Sequence, residues 1–110
     1  MNINILGIKY KIIKNASIKK YPKLKECDGY CDTSIKQIVV AKFESDDMSL
    51  ENLEYYTKKV LRHELTHAFL YESGLWNNSA FGDNEELTDW IAIQFEKMLD
   101  VFIKTNALSS

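Results

Sequence analysis

The sequence predicts a small α+β domain, an N-terminal antiparallel or mixed sheet of about three strands followed by two long helices. Three observations carry that reading. The first 43 residues hold short β-branched and apolar runs separated by turn residues. From residue 50 onward the apolar residues recur at helical spacing instead. The chain has 110 residues, is 45% hydrophobic and contains no repeat, low-complexity tract or linker, so it reads as one domain with one core.

Residues 3–13 alternate apolar and polar from Ile8 to Ile12, the pattern of a half-buried strand, and Asn15-Ala16-Ser17 punctuates it. Residues 18–27 contain Pro22, the only proline, and four lysines (Lys19, Lys20, Lys23, Lys25) that read as a solvated face. A loop or short helix fits there. Residues 28–33 suit a second strand, with a turn near Ser34-Ile35-Lys36. Gln37 to Phe43 is β-branched and nearly all apolar, the strongest strand signal in the chain. Together these segments suggest a three-stranded meander.

Ser45 to Ser49 is polar and ends in a good N-cap, Ser49. The helix expected over 50–72 places Leu53, Tyr56, Val60, His63, Glu64, His67 and Tyr71 on one face. Leu61, Leu65 and Ala68 line a neighbouring face, and Lys59, Arg62 and Thr66 form a polar strip. Such a helix is expected to be largely buried. Gly74 can end it as a left-handed cap. Residues 75–82 read as a linker whose Trp76 and Phe81 cover the core. The last helix is expected to start near Asp83, with Asp83-x-x-Glu86 as a capping-box variant. Leu87, Trp90, Ile91, Phe95, Met98, Leu99 and Phe102 form its apolar stripe, expected in the core. Thr105 to Ser110 should fray.

The net charge of −2 gives no basic field for nucleic acid. The N-terminus lacks the pattern of a signal sequence, and nothing approaches 18 consecutive apolar residues, so a cytoplasmic protein without a membrane span is expected. Cys27 and Cys31 are the only cysteines and read as free thiols in a reducing compartment.

Chemistry concentrates in residues 63–67, His-Glu-Leu-Thr-His. On a helix, His63 and His67 sit one turn apart on one face, so two imidazoles can converge on one metal ion. Glu64 lies about 100° round, beside that ion and near a water it could deprotonate. These are the parts needed for zinc-assisted hydrolysis of an amide. The chain has only two histidines, and chance gives this pattern in about 0.1% of chains of this composition. The bland alternative is two unrelated histidines on an amphipathic helix. A catalytic zinc site needs a third protein ligand, and residues 84–89, Asn-Glu-Glu-Leu-Thr-Asp, offer three acidic candidates, Glu85, Glu86 and Asp89. Alternatively, Glu85 and Glu86 are ordinary acidic residues of a helix's first turn.

The His-Glu-Leu-Thr-His motif followed by Asn-Glu-x-x-Thr-Asp resembles the thermolysin-type zinc peptidases, the gluzincins, over about residues 60–92. The resemblance implies Zn²⁺ held by His63, His67 and Glu85, catalysis by Glu64, and Asp89 orienting His63. In size and layout the chain resembles the compact ImmA/IrrE-type metallopeptidases and small zincins of phages and mobile elements; Glu85, Asp89, Ile91 and Ala92 fit their spacing. That likeness implies cleavage of a specific peptide or protein substrate, with extended substrate added along Gln37–Phe43. The oxyanion needs a further donor, a tyrosine (Tyr30, Tyr71 or Tyr21) or an arginine, and Tyr71 is favoured for sharing the ligand face. Two other readings stand beside this one. One is a non-catalytic zinc-binding module with Cys27 or Cys31 closing the fourth position. The other is a zinc amidase acting on non-protein amides such as cell-wall fragments.

Overall fold

The Gln-Ile-Val-Val-Ala run becomes the inner strand of a four-stranded mixed sheet, and its composition explains why. In the computed structural model, which describes residues 1–44 and 49–109, the strands are β1 (Asn2–Ile5), β2 (Ile8–Ala16), β3 (Gly29–Asp32) and β4 (Gln37–Ala41). The polar reading of Ser45 to Met48, and the last residue of the tail, lie outside the described residues. The spatial order is β1-β2-β4-β3. Ile38 and Val40 lie on one face with Ile5, Tyr10 and Ile12, while Val39 and Ala41 join Ala16 and Leu24 on the other. A strand covered on both faces needs an unbroken apolar run.

The meander is not formed. β2 and β4 are parallel, residues 17–36 cross between them, and β3 pairs antiparallel with β4 at the outer edge. The fourth strand arises because residues 3–13 fold back at Leu6-Gly7, where both φ angles are positive (51° and 92°) and Ile5 pairs with Ile8. Asn4 Oδ1 accepts the Gly7 N–H at 2.8 Å. Two left-handed residues make a tight hairpin, but Leu at the first of them is uncommon and gave no turn signal. β2 also continues through the expected stop at Asn15-Ala16, past an irregularity between Ile13 and Ala16. Pro22–Lys25 form one 3₁₀ turn whose Leu24 is buried while the four lysines stay exposed.

Helix α1 (Leu50–Glu72) has the expected bounds; Ser49 Oγ accepts the Asn52 N–H at 3.1 Å, and Gly74 follows in the left-handed region. Its burial is one-sided, with Val60, Glu64, His67, Ala68 and Leu70 buried and Phe69 exposed. A short α2 (Leu75–Asn78) occupies the expected linker. Gly82 closes that loop: a Cβ there would fall 2.3 Å from the Leu75 carbonyl oxygen. Trp76 packs edge-on against His67, but Phe81 is half exposed and does not cover the core.

Helix α3 (Glu85–Lys104) is capped by Asn84, whose Oδ1 accepts the Leu87 N–H at 2.8 Å. The helix therefore starts after Asp83, and the Asp83–Glu86 box is replaced by this cap. α3 packs chiefly on α1, so α1 lies between it and the sheet. Only Thr88 and Ala92 of α3 are buried; Trp90, Phe95, Met98 and Phe102, expected in the core, are exposed. The sheet already covers the opposite side of α1, and none of the described elements lies outside α3.

One polar link ties the layers together. The fully buried Tyr10 donates to Glu72 Oε2 at 2.6 Å, and Lys36 donates to the same oxygen at 2.7 Å. Lys36 and Tyr10 hold the Glu72 carboxyl below its usual range although it ends a helix, where negative charge is unfavourable. Because the folded value is the lower one, this stabilisation is complete above the ordinary carboxylate pKa and disappears as pH falls through the depressed value. Glu72→Ala strands the Tyr10 hydroxyl and is expected to cost about 1–3 kcal/mol, roughly 5–15 °C in Tm at pH 7. Thermal melts at pH 7 and in acid, where the wild type and Glu72→Gln should converge, check this.

Candidate metal centre

α1 supplies the two imidazoles and α3 brings a carboxylate across to them. The His63 and His67 rings stand edge-on with centroids 4.8 Å apart. Glu85, the first residue of α3, reaches both: Oε2 is 2.9 Å from His63 Nε2 and Oε1 is 2.9 Å from His67 Nε2. Asp89, one turn on, sits with Oδ1 3.2 Å from His63 Nδ1. The donor atoms of His63, His67 and Glu85 all lie within 4.8 Å of one another, so the group could hold a metal ion. Ligands at about 2.0–2.2 Å from a tetrahedral ion stand roughly 3.3–3.6 Å apart, so small side-chain shifts would suffice. Glu86 is exposed and outside the group; Asp89 is engaged on the far nitrogen of His63.

Arg62 fixes this approach. Its Nε donates to the Ala92 carbonyl at 2.8 Å and its Nη1 to Glu96 Oε1 at 2.6 Å, clasping α3 to α1. Sequence reasoning placed Arg62 only in a polar strip, since its partners lie thirty residues away. The second histidine is less well supported than the first. His67 Nδ1 is buried without a hydrogen-bond partner among the described residues, where a metal-ligating ring ordinarily donates to an acceptor.

Glu64 is buried beside the two imidazoles. Removal from solvent pushes its carboxyl up to about 7; Glu85 adds to this, and His63 and Lys23 oppose it. Gly29 makes this close packing possible, because a Cβ there would lie 2.9 Å from Val60 Cγ1 and 3.4 Å from Glu64 Cγ. A glycine inside a strand signals close approach of another element, and that was the available clue.

Two recesses flank the centre. One, of about 240 Å³, is lined by Asp28, Tyr56, Lys59, His63 and Glu64, with the Tyr56 hydroxyl donating to Asp28. The other, of about 350 Å³, brings Lys23, Tyr30 and Trp76 to Glu64 and His67. Tyr71 lines neither; it packs on Trp76, with the Lys36 ammonium over its ring. Tyr21 and Tyr30 both pack against the cluster on the far face of the sheet, and of the three candidate tyrosines Tyr30 alone also lines a recess of the centre. Cys27 and Cys31 are free thiols outside the His-His-Glu group; Cys27 Sγ points to the Lys23 carbonyl and burial pushes the Cys31 thiol up to about 12.

The strand beside the centre with a free edge is β3. β4 is hydrogen-bonded on both sides, which corrects the expectation that Gln37–Phe43 could accept an added strand. Among the described residues no helix is long and apolar enough to cross a membrane. Compared with known proteins, the chain matches no family model, no curated protein and no solved structure.

Proposed function

We propose that the protein is a zinc-dependent metallopeptidase of gluzincin type, hydrolysing a peptide bond in a peptide or protein substrate in the cytoplasm. The observation that carries this reading is the Glu85 carboxylate spanning both Nε2 atoms at 2.9 Å, with Glu64 buried next to them. His63, His67 and Glu85 would hold the ion, and a His₂Glu set in a small site suits zinc. When bound, zinc supplies Lewis acidity toward the substrate carbonyl and a water of lowered pKa.

The protein's own groups do the rest. Glu64 takes a proton from the attacking water and returns it to the leaving amine, a role that its burial beside the two imidazoles suits. Asp89 accepts from His63 Nδ1–H and so aims Nε2 at the ion. Burial raises the Tyr30 pKa, so its phenol stays protonated and can donate to the developing oxyanion. The open β3 edge offers backbone donors and acceptors to an extended peptide. A compact zincin with this layout, like those of phages and other mobile elements, would act on a chosen partner protein.

The test is zinc-loaded protein against a peptide library and, in parallel, muropeptides. Peptide cleavage abolished by chelation and restored by zinc is expected. Turnover of muropeptides alone would replace this reading with the amidase one. In the same assay Tyr30→Phe should lower kcat by about 10²–10³-fold, while Tyr71→Phe should change it little; the reverse pattern would return the oxyanion role to Tyr71.

A further inference from the structure

We propose that α3 pairs with α3 of a second copy of this chain, forming a twofold dimer on the side of the helix away from the metal centre. Ile91, Phe95, Met98 and Phe102 follow one another at four-three-four spacing, the seam of a helix pair. Phe95, Met98 and Phe102 are 48%, 37% and 38% exposed, with Trp90 and Val101 bare beside them. The seam opens onto an apolar groove of about 540 Å³ between α1 and α3, walled by Leu65, Phe69, Ile91 and Phe95 with Leu6 at its rim. Apolar side chains supplied from outside would fill it.

Two arguments select a second copy as the occupant. The first is area. Taking about 150–250 Å² for a complete large side chain, Leu6, Phe69, Trp90, Phe95, Met98, Val101 and Phe102 leave on the order of 700 Å² of apolar surface bare. A monomer's largest patch is typically about 300–600 Å², and a stable interface takes about 800 Å² from each partner. The second is charge. An antiparallel twofold sets the positions flanking a seam against their own counterparts, so a charge there would face its like. In α3 those positions are Leu87, Ala92, Gln94, Leu99 and Val101, none of them charged. The charges of α3 (Glu85, Glu86, Asp89, Glu96, Lys97, Asp100 and Lys104) all fall on the other half of the helix. Glu85 and Asp89 are among them, so pairing leaves the metal centre open. The proposal does not depend on the peptidase reading.

Light scattering coupled to gel filtration, on the full chain at roughly 100 µM and after dilution, tests it. The expected mass is twice that of one chain, falling toward one on dilution. Met98→Glu, and separately Phe95→Glu with Phe102→Glu, should give a helical monomer by circular dichroism. Ile103→Glu, an equally drastic change at an exposed position about a third of a turn round α3 from the seam, should leave the dimer intact. A wild type that stays monomeric at the highest concentration overturns the proposal, whatever the variants do, and leaves the groove to a helix of another protein. An assembly larger than two, or disruption by Ile103→Glu equal to that by Met98→Glu, overturns it as well.

Discussion

On the proposed peptidase reading, Glu64→Gln is expected to lower peptide hydrolysis by about 10²–10⁴-fold in kcat while the protein keeps one metal ion per chain. Glutamine fills the same volume against Gly29 and Val60, so the helix should hold the two imidazoles as before. What it cannot do is accept a proton from water and deliver it to an amine. Parallel measurement of turnover and metal content separates the two roles. Cleavage that survives the change would mean that the buried carboxyl is a packing residue and the proton moves elsewhere.

If His63, His67 and Glu85 hold the ion as proposed, Glu85→Ala is expected to lower metal affinity by at least about 100-fold and to leave the metal-free fold nearly as stable as before. The carboxylate touches both histidines, yet its side chain is 71% exposed and supports no core contact. Its removal therefore costs ligation without leaving a cavity. Asp89→Ala, which frees the far nitrogen of His63, should cost about 10–100-fold. Competition with a chromogenic chelator measures both, and thermal melts without metal supply the control. Stoichiometric, tight binding by Glu85→Ala would place the third ligand elsewhere.

What the sequence made legible was what depends on near neighbours. The bounds of α1 follow from Ser49, the apolar periodicity and Gly74, all within the segment itself. His63 and His67 follow from spacing, because a helix turns spacing directly into direction, whereas Glu85, on another helix, follows from the resemblance of residues 84–89 to the gluzincin pattern. The failures are non-local. The hairpin at Leu6-Gly7 was hidden by a leucine where asparagine would have announced the turn. Strand order was hidden too: the unbroken apolar run of β4 was legible, but its meaning, cover on both faces, depends on where β2 and Leu24 end up. Tyr71 was favoured because it shares a helix face with the histidines. That reasoning could not see Trp76 beside its ring, or β3 bringing Tyr30 alongside. In α3, periodicity reported a face that needs cover and could not say whether the chain itself supplies it.

α3 meets the rest of the protein chiefly along α1, and it is a rod: it cannot tilt on one flank and stay still on the other. Glu85 and Asp89 ride on one flank, Phe95 and Met98 on another. Loading of the ion and union of two copies would thus pull on a common lever. Thermodynamic reciprocity then requires that whatever factor the ion adds to pairing, pairing returns to the ion's affinity.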